Sequence, residues 1–124
     1  LTETFADNKL RKGDVLWQAT ANSSKEYDVE KDAVFNTFLI QEDISKGQRV
    51  ESFTVEALID GIWQQLGEGT TVGYKRLLRF PECKAEKIRV TVNGSRGIAN
   101  ISKVGLFYAR PLTEEDAALK LMFL

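Results

Sequence analysis

Hydrophobic and polar residues alternate with a period of two along much of this chain. Phe53, Val55, Ala57 and Ile59 occupy alternate positions, as expected for a β-strand with one face in a core. The same alternation recurs between residues 87 and 92. This pattern predicts an all-β protein built from antiparallel strands.

The turn signals between these segments divide the chain into short strands. Asp60-Gly61 predicts a two-residue hairpin turn because glycine tolerates positive φ, and the return strand then begins at Ile62. Gly67-Glu68-Gly69 is interpreted as a hairpin loop, and Asn93-Gly94 as a turn after the strand at 88–92. The spacing favours an antiparallel jelly-roll β-sandwich, with further strands predicted at 15–20, 27–29 (an edge strand), 34–41 (a central strand), 70–80 and 101–108.

The C-terminal segment differs in kind from the rest of the chain. Thr113 is suited to a helix N-cap, and the acidic residues at 114–116 suit a first helical turn that follows the break at Pro111. We interpret this segment as a short helix or the start of a linker. The predicted organisation is a β-sandwich domain over residues 1–110 and a tail over 111–124.

Size and charge narrow the class of partner. A chain of 124 residues is long enough for one domain with its own core, and its formal net charge is −1. Lysine and arginine are scattered, which argues against a nucleic-acid partner or an anionic membrane surface. No apolar run approaches the ~20 residues that span a bilayer. The opening residues have no signal-peptide pattern, and a first residue of Leu suggests a fragment or a processed chain.

The residues that usually carry catalysis are scarce. The chain contains no histidine and a single cysteine, Cys83, so histidine-based triads, thiolate metal clusters and an internal disulfide are excluded. The adjacent carboxylates at 42–43 and 114–116 do not suggest the facing pair that a glycosidase needs. We therefore expect no active site in this chain.

Aromatic residues offer the other route to function, since sugars stack their apolar faces on flat side chains. Trp17 lies within a strand pattern and is interpreted as a core residue. Trp63 follows the hairpin turn and is either a cross-strand packing residue or a surface platform. Tyr74 precedes Lys75 and Arg76, and this trio suits a sugar clamp or a tie to the loop backbone.

The run FNTFLIQEDISKGQRVESFTVEALIDGIWQQLGEGTTVGYKRLLRF closely resembles the C-terminal discoidin-like domain of bacterial α-L-fucosidases. The matching motifs are the QE strand end, GQRV, SF-x-VE, DG-x-W and GTT-x-GYKR-x-LRF, followed by KIRVTV and IS-x-x-GLF. Together they cover about residues 14–109. The resemblance implies a galactose-binding-like β-sandwich that packs on the catalytic barrel of a periplasmic or secreted glycosidase.

The resemblance also implies a structural calcium in many related domains. Asp7 or Asp14 would supply one ligand, but Lys103 stands where the resemblance places an acidic second ligand, and a cation there repels Ca²⁺. The resemblance further places a galactose-binding Arg and Asn in the loop at 41–46, and this chain has neither residue type there.

The leading hypothesis is a non-catalytic accessory domain of a glycoside hydrolase that packs on the catalytic domain and contacts glycan. The alternatives are an autonomous carbohydrate-binding module and a protein-interaction module without sugar affinity. None of these three hypotheses requires a cofactor. The residues predicted to contact a ligand or the interface are Arg49, Tyr74, Lys75, Arg76 and Arg96.

Overall fold

The computed structural model describes residues 8–109, and these form two four-stranded antiparallel β-sheets. One sheet has the strand order β1-β8-β3-β6 and the other β2-β7-β4-β5. This arrangement confirms the predicted all-β sandwich, while the helix predicted after Pro111 and the 110/111 boundary lie outside the described residues. The strands are β1 (Trp17–Ala19), β2 (Ser23–Asp28), β3 (Phe35–Glu42), β4 (Val50–Ile59), β5 (Ile62–Gly69), β6 (Arg76–Cys83), β7 (Lys87–Ser95) and β8 (Ala99–Phe107).

The two sheets enclose one hydrophobic core, built from the alternating positions seen in the sequence. Phe53 and Val55 of β4 face Phe38 and Ile40 of the opposite sheet, and all four side chains are fully buried. Burial of each such side chain stabilises the fold by about 1.5–3 kcal/mol. Within residues 8–109, no element is a helix long and apolar enough to cross a membrane.

The β4–β5 hairpin confirms the turn predicted at Asp60-Gly61. Both residues have positive φ, 52° and 79°, which is the geometry of the turns that match the twist of a hairpin. Ile59 pairs directly with Ile62 across the turn. A two-residue connection therefore fixes the register of the β4–β5 hairpin beside the turn.

Two predicted turns are wrong, because both lie inside strands. Gly67 and Gly69 belong to β5 and pair with Val55 and Phe53 of β4. Asn93-Gly94 belongs to β7, where the Asn93 side chain donates a 2.6 Å hydrogen bond to Thr54 Oγ1 of β4. The chain reverses instead at residues 96–98, where Gly97 has a φ of 76°.

The ends of several strands bring three loops to one end of the sandwich. Loop 43–49 lies beside turn 96–98, since the backbone N–H of Arg96 donates to the carbonyl of Arg49 at 2.8 Å. Loop 70–75 joins them through a hydrogen bond from the N–H of Glu42 to the carbonyl of Gly73. We call loops 43–49, 70–75 and 96–98 together the upper rim.

Candidate functional site

The upper rim contains four of the five residues predicted to make ligand or interface contacts, and the fifth, Arg76, begins the strand that follows it. Arg49 closes the first loop, Tyr74 and Lys75 lie in the second, and Arg96 lies in the third. Residues far apart in the sequence thus meet at one end of the fold.

A buried carboxylate organises the first of these loops. Glu42 is only 1% exposed, and its Oε2 accepts hydrogen bonds from the backbone N–H of Arg49 at 2.7 Å and of Val50 at 3.3 Å. Its Oε1 is buried and has no hydrogen-bond partner among the described residues. The sequence pattern predicted a loop at Glu42, whereas this residue ends β3. Its position at the end of an apolar strand was the signal that it could be buried.

Asp43, the neighbouring acid, has a different environment. It is exposed, and its carboxylate accepts the backbone N–H of Ser45 at 3.0 Å. That hydrogen bond, with a smaller contribution from the charge of Lys46, lowers the pKa of Asp43 below its ordinary value. The two adjacent acids therefore do not form a facing pair.

Two of the predicted arginines bind loop carbonyls. The Arg49 guanidinium donates to the carbonyls of Arg96 at 3.3 Å and Lys46 at 3.2 Å, and so holds two loops together. Arg76 donates to the carbonyl of Thr71 at 3.3 Å. Both side chains shape the upper rim, and each still has N–H donors that these bonds leave unused.

Arg96 borders an open concavity on the same end of the fold. Its Nε lies 3.3 Å from Glu51 Oε2, and both side chains are exposed. The concavity has a volume of about 640 Å³, within the range usual for small-molecule sites. Its lining residues are Gly47, Gln48, Arg49, Val50, Glu51, Thr71 and Arg96.

Tyr74 is the exposed aromatic residue of the upper rim. Its side chain is 69% exposed, and it follows Gly73, whose φ of 62° forms the turn that presents it. Tyr74, Lys75 and Arg76 do not line the 640 Å³ concavity themselves. They lie beside the concavity. Arg76 is connected to its lining because its guanidinium donates to the carbonyl of Thr71, a lining residue.

Asp14, one of the two residues implied for calcium, belongs to no cluster of acidic side chains among residues 8–109. Asp14 is 80% exposed and lies 3.6 Å from the ammonium group of Lys103, which neutralises its charge. Across residues 8–109 no group of three or more acidic, cysteine or histidine side chains could hold a metal ion. Asp7, the other candidate, lies outside the described residues.

The two tryptophans and the cysteine considered in the sequence lie in strands, where each is partly buried. Trp17 packs against the core, as predicted. Trp63 faces outward from β5, and the Arg89 guanidinium lies 4.1 Å from its ring centroid, so packing is the interpretation that the contacts favour. Cys83 ends β6 rather than lying in a turn, and partial burial raises the pKa of its thiol.

Comparison with known proteins relates this chain to one group of enzymes. No family model matches. The chain is 43% identical over 81 residues to a rice (Oryza sativa subsp. japonica) sequence assigned as α-L-fucosidase 1, covering 65% of this chain and 16% of the relative. It is 37% identical over 107 residues to α-L-fucosidase 1 of Arabidopsis thaliana, covering 81% of this chain and 21% of the relative.

Solved structures agree with these sequence matches. A Bacteroides ovatus protein assigned as an α-L-fucosidase superposes with a TM-score of 0.87 at 47% identity, covering 91% of this chain and 19% of that one. The family 32 carbohydrate-binding module of Clostridium perfringens NanJ shares the fold alone, at 18% identity and a TM-score of 0.65, with 76% of this chain and 77% of that one covered. The chain spans about a fifth of the length of the fucosidases it matches and is homologous to that segment of α-L-fucosidase chains.

Proposed function

We propose that this chain is a non-catalytic, galactose-binding-like accessory domain of an α-L-fucosidase-type glycoside hydrolase. It packs on the catalytic domain and contacts glycan through the upper rim. The observation that carries the proposal is the pattern of coverage. The match takes in nine-tenths of this chain but only a fifth of the Bacteroides ovatus fucosidase.

The distribution of acids supports a non-catalytic role. Glu42 is buried and already bonded to backbone N–H groups, whereas Asp43 is exposed and bonded to its own loop. A glycosidase needs two carboxyl groups roughly 5 to 9 Å apart on either side of a sugar. An aryl α-L-fucoside should therefore hydrolyse no faster with the 124-residue chain than in buffer alone. Any turnover by the chain would contradict the proposal.

Glycan contact is assigned to the upper rim because it combines an exposed aromatic ring with donors around a concavity. Tyr74 offers a flat apolar face, and Arg49 and Arg96 offer N–H groups at the adjacent cavity. Few anchors hold a small polar ligand, so we expect millimolar affinity for a monosaccharide.

A matched pair of tyrosine variants tests this assignment. Tyr74→Ala should weaken fucose binding about tenfold, since loss of one stacking contact costs about 1.4 kcal/mol. Tyr108→Ala removes another exposed tyrosine, 38% accessible, from the end of β8 away from the upper rim and should leave the affinity unchanged. Equal affinities for both variants and the parent would remove glycan contact by Tyr74 from the proposal.

A second candidate function is that of an autonomous carbohydrate-binding module. The observation that favours it is the shared fold with the Clostridium perfringens module, whose structure was solved in complex with galactose and of which this chain covers 77%. Binding of the isolated chain to galactose as tightly as to fucose would favour this candidate.

The third alternative is an interaction module without sugar affinity. Val15 and Leu16 are adjacent, and each is about half exposed, so they offer an apolar contact for a catalytic domain. Concentration-dependent self-association of the chain, lost in Val15→Ser with Leu16→Ser, together with no sugar binding, would favour it.

A further inference from the structure

A second concavity, of about 370 Å³, lies on the side of the sandwich between turn 11–15 and the edge strand β2. It shares no lining residue with the concavity of the upper rim. We call it the side pocket, and its lining consists of Arg11, Lys12, Val15, Lys25, Glu26, Tyr27 and Asp28. Its volume falls within the range of small-molecule sites.

Backbone hydrogen bonds hold the turn against the edge strand. Leu10 forms a bridge with Val29, and the N–H of Arg11 donates to the carbonyl of Asp28 at 3.0 Å. Lys12 has a φ of 58°, and its carbonyl accepts the N–H of Val15 at 3.2 Å, which closes the turn. The backbone therefore fixes the positions from which the two cations project.

The acids and the cations around the side pocket differ in whether they form salt bridges. Asp28 lies 3.5 Å from Lys87, and Glu26 lies 4.0 Å from Arg89, so both acids face cations on the outer side of the sheet. Within residues 8–109, no salt bridge engages Arg11, Lys12 or Lys25. Three cations and two acids line the pocket, so its formal charge is +1 in a chain whose net charge is −1, and only its acids have other cations nearby.

Lys25 has an environment that edge protection explains only in part. It is half-buried, and its ammonium group lies 5.8 Å from the ring centroid of Tyr27, which is 3% exposed. A lysine on an edge strand discourages pairing with another chain. That role does not account for Arg11 and Lys12, which reach the same pocket from a separate turn.

We propose that the side pocket binds the anionic group of an acidic saccharide, such as the carboxylate of a uronic acid. Arg11, Lys12 and Lys25 would surround the anion, and the partial burial of Lys25 would strengthen its attraction relative to open water. A saccharide suits the site better than a free inorganic anion because 370 Å³ far exceeds the volume of one small ion. This site is independent of the upper rim.

The test follows backbone amide shifts of the isotopically labelled 124-residue chain during titration with sodium glucuronate. Glucose and sodium chloride at equal ionic strength are the controls, and sodium sulfate separates a free anion from a saccharide. Saturable shifts at residues 11–13 and 25–28 with glucuronate alone are expected, and they should weaken as salt screens the charges. Shifts that chloride reproduces, shifts with sulfate only, or no shifts would each overturn the proposal.

Two variants separate binding from folding. Arg11→Gln combined with Lys25→Gln should weaken glucuronate binding at least tenfold, whereas Lys31→Gln, an exposed lysine outside the side pocket, should not change it. Dispersed amide spectra establish that each variant is folded, and Arg11→Gln alone replaces the pair if Lys25 proves necessary for folding. Tyr74→Ala should keep glucuronate binding intact, so failure of this proposal is distinguishable from failure of the glycan contact at the upper rim.

Discussion

The carboxylate of Glu42 accepts the backbone N–H of Arg49 at 2.7 Å and thereby closes the first loop of the upper rim from within the fold. The same oxygen accepts the N–H of Val50, the first residue of β4. One buried side chain at the end of β3 therefore sets where the next strand begins. The contact thus fixes one end of the upper rim from inside the fold.

Replacement of Glu42 should therefore be costly. Glu42→Ala leaves two backbone N–H groups without their acceptor and should lower the free energy of unfolding by about 2–4 kcal/mol, as measured by urea denaturation. Glu51→Ala removes only the exposed ion pair with Arg96 and should cost less than about 1 kcal/mol. Similar costs for the two variants would contradict the role assigned to Glu42.

The two glycines of β5 should respond differently to alanine. A Cβ at Gly69 would lie 2.5 Å from Cε1 of the buried Phe53 ring, whereas a Cβ at Gly67 would meet only the end of the Leu78 side chain at 3.2 Å. Gly69→Ala should destabilise the fold by about 1–3 kcal/mol, and Gly67→Ala by clearly less. Thermal unfolding of both variants checks the order, and the reverse order would contradict the packing described for β5.

Stability should also depend on alkaline pH through Tyr27. Burial raises the pKa of Tyr27 to about 12, and the neighbouring Trp17 indole lowers it by a smaller amount. Because this pKa lies above the value of about 10 in an unfolded chain, the contribution is complete below pH ~10 and is lost as the pH rises toward ~12.

Tyr27→Phe isolates that contribution. The variant should stay within about 1 kcal/mol of the parent near pH 7, because it loses only the weak contact between the buried Tyr27 hydroxyl and the Trp17 indole. Between pH ~10 and ~12 the parent should lose about 2–3 kcal/mol more stability than the variant. Parallel urea curves for the two proteins across this range would show that Tyr27 ionises freely.

The outer face of the second sheet offers a prediction about Trp63. Arg89 lies over the Trp63 ring and also donates to Glu56 Oε1 at 3.0 Å, a hydrogen bond that raises the pKa of Arg89. Arg89→Met removes the charge over the ring and the ion pair with Glu56, so it should change the tryptophan emission maximum and cost about 1 kcal/mol of stability. Arg79→Met, an exposed arginine on β6 of the other sheet, is the control and should change neither quantity.

The alternation of apolar residues predicted β4 and β7 well because one face of each strand lies in the core. The Asp60-Gly61 turn was predictable because both residues must adopt positive φ. The strand conformation of Asn93-Gly94 was not predictable, since pairing with β4 overrides the local preference of these residues for a turn.

Some features of the candidate site were likewise predictable from the sequence, and others were not. That the three loops meet follows from the sandwich topology, which the sequence pattern and the family resemblance both indicated. The burial of Glu42 was harder to predict from the sequence, because a glutamate beside an aspartate is typical of a solvated loop. The side pocket depends on a long-range contact between turn 11–15 and β2, which no local pattern announces.

The titration of the labelled chain with fucose and galactose, followed by backbone amide shifts, tests the central claim most directly. We expect saturable shifts with fucose, at millimolar concentrations, that are confined to residues 43–49, 70–76 and 96–98. An absence of shifts in the upper rim at saturating sugar would contradict glycan contact and leave only docking to a catalytic domain.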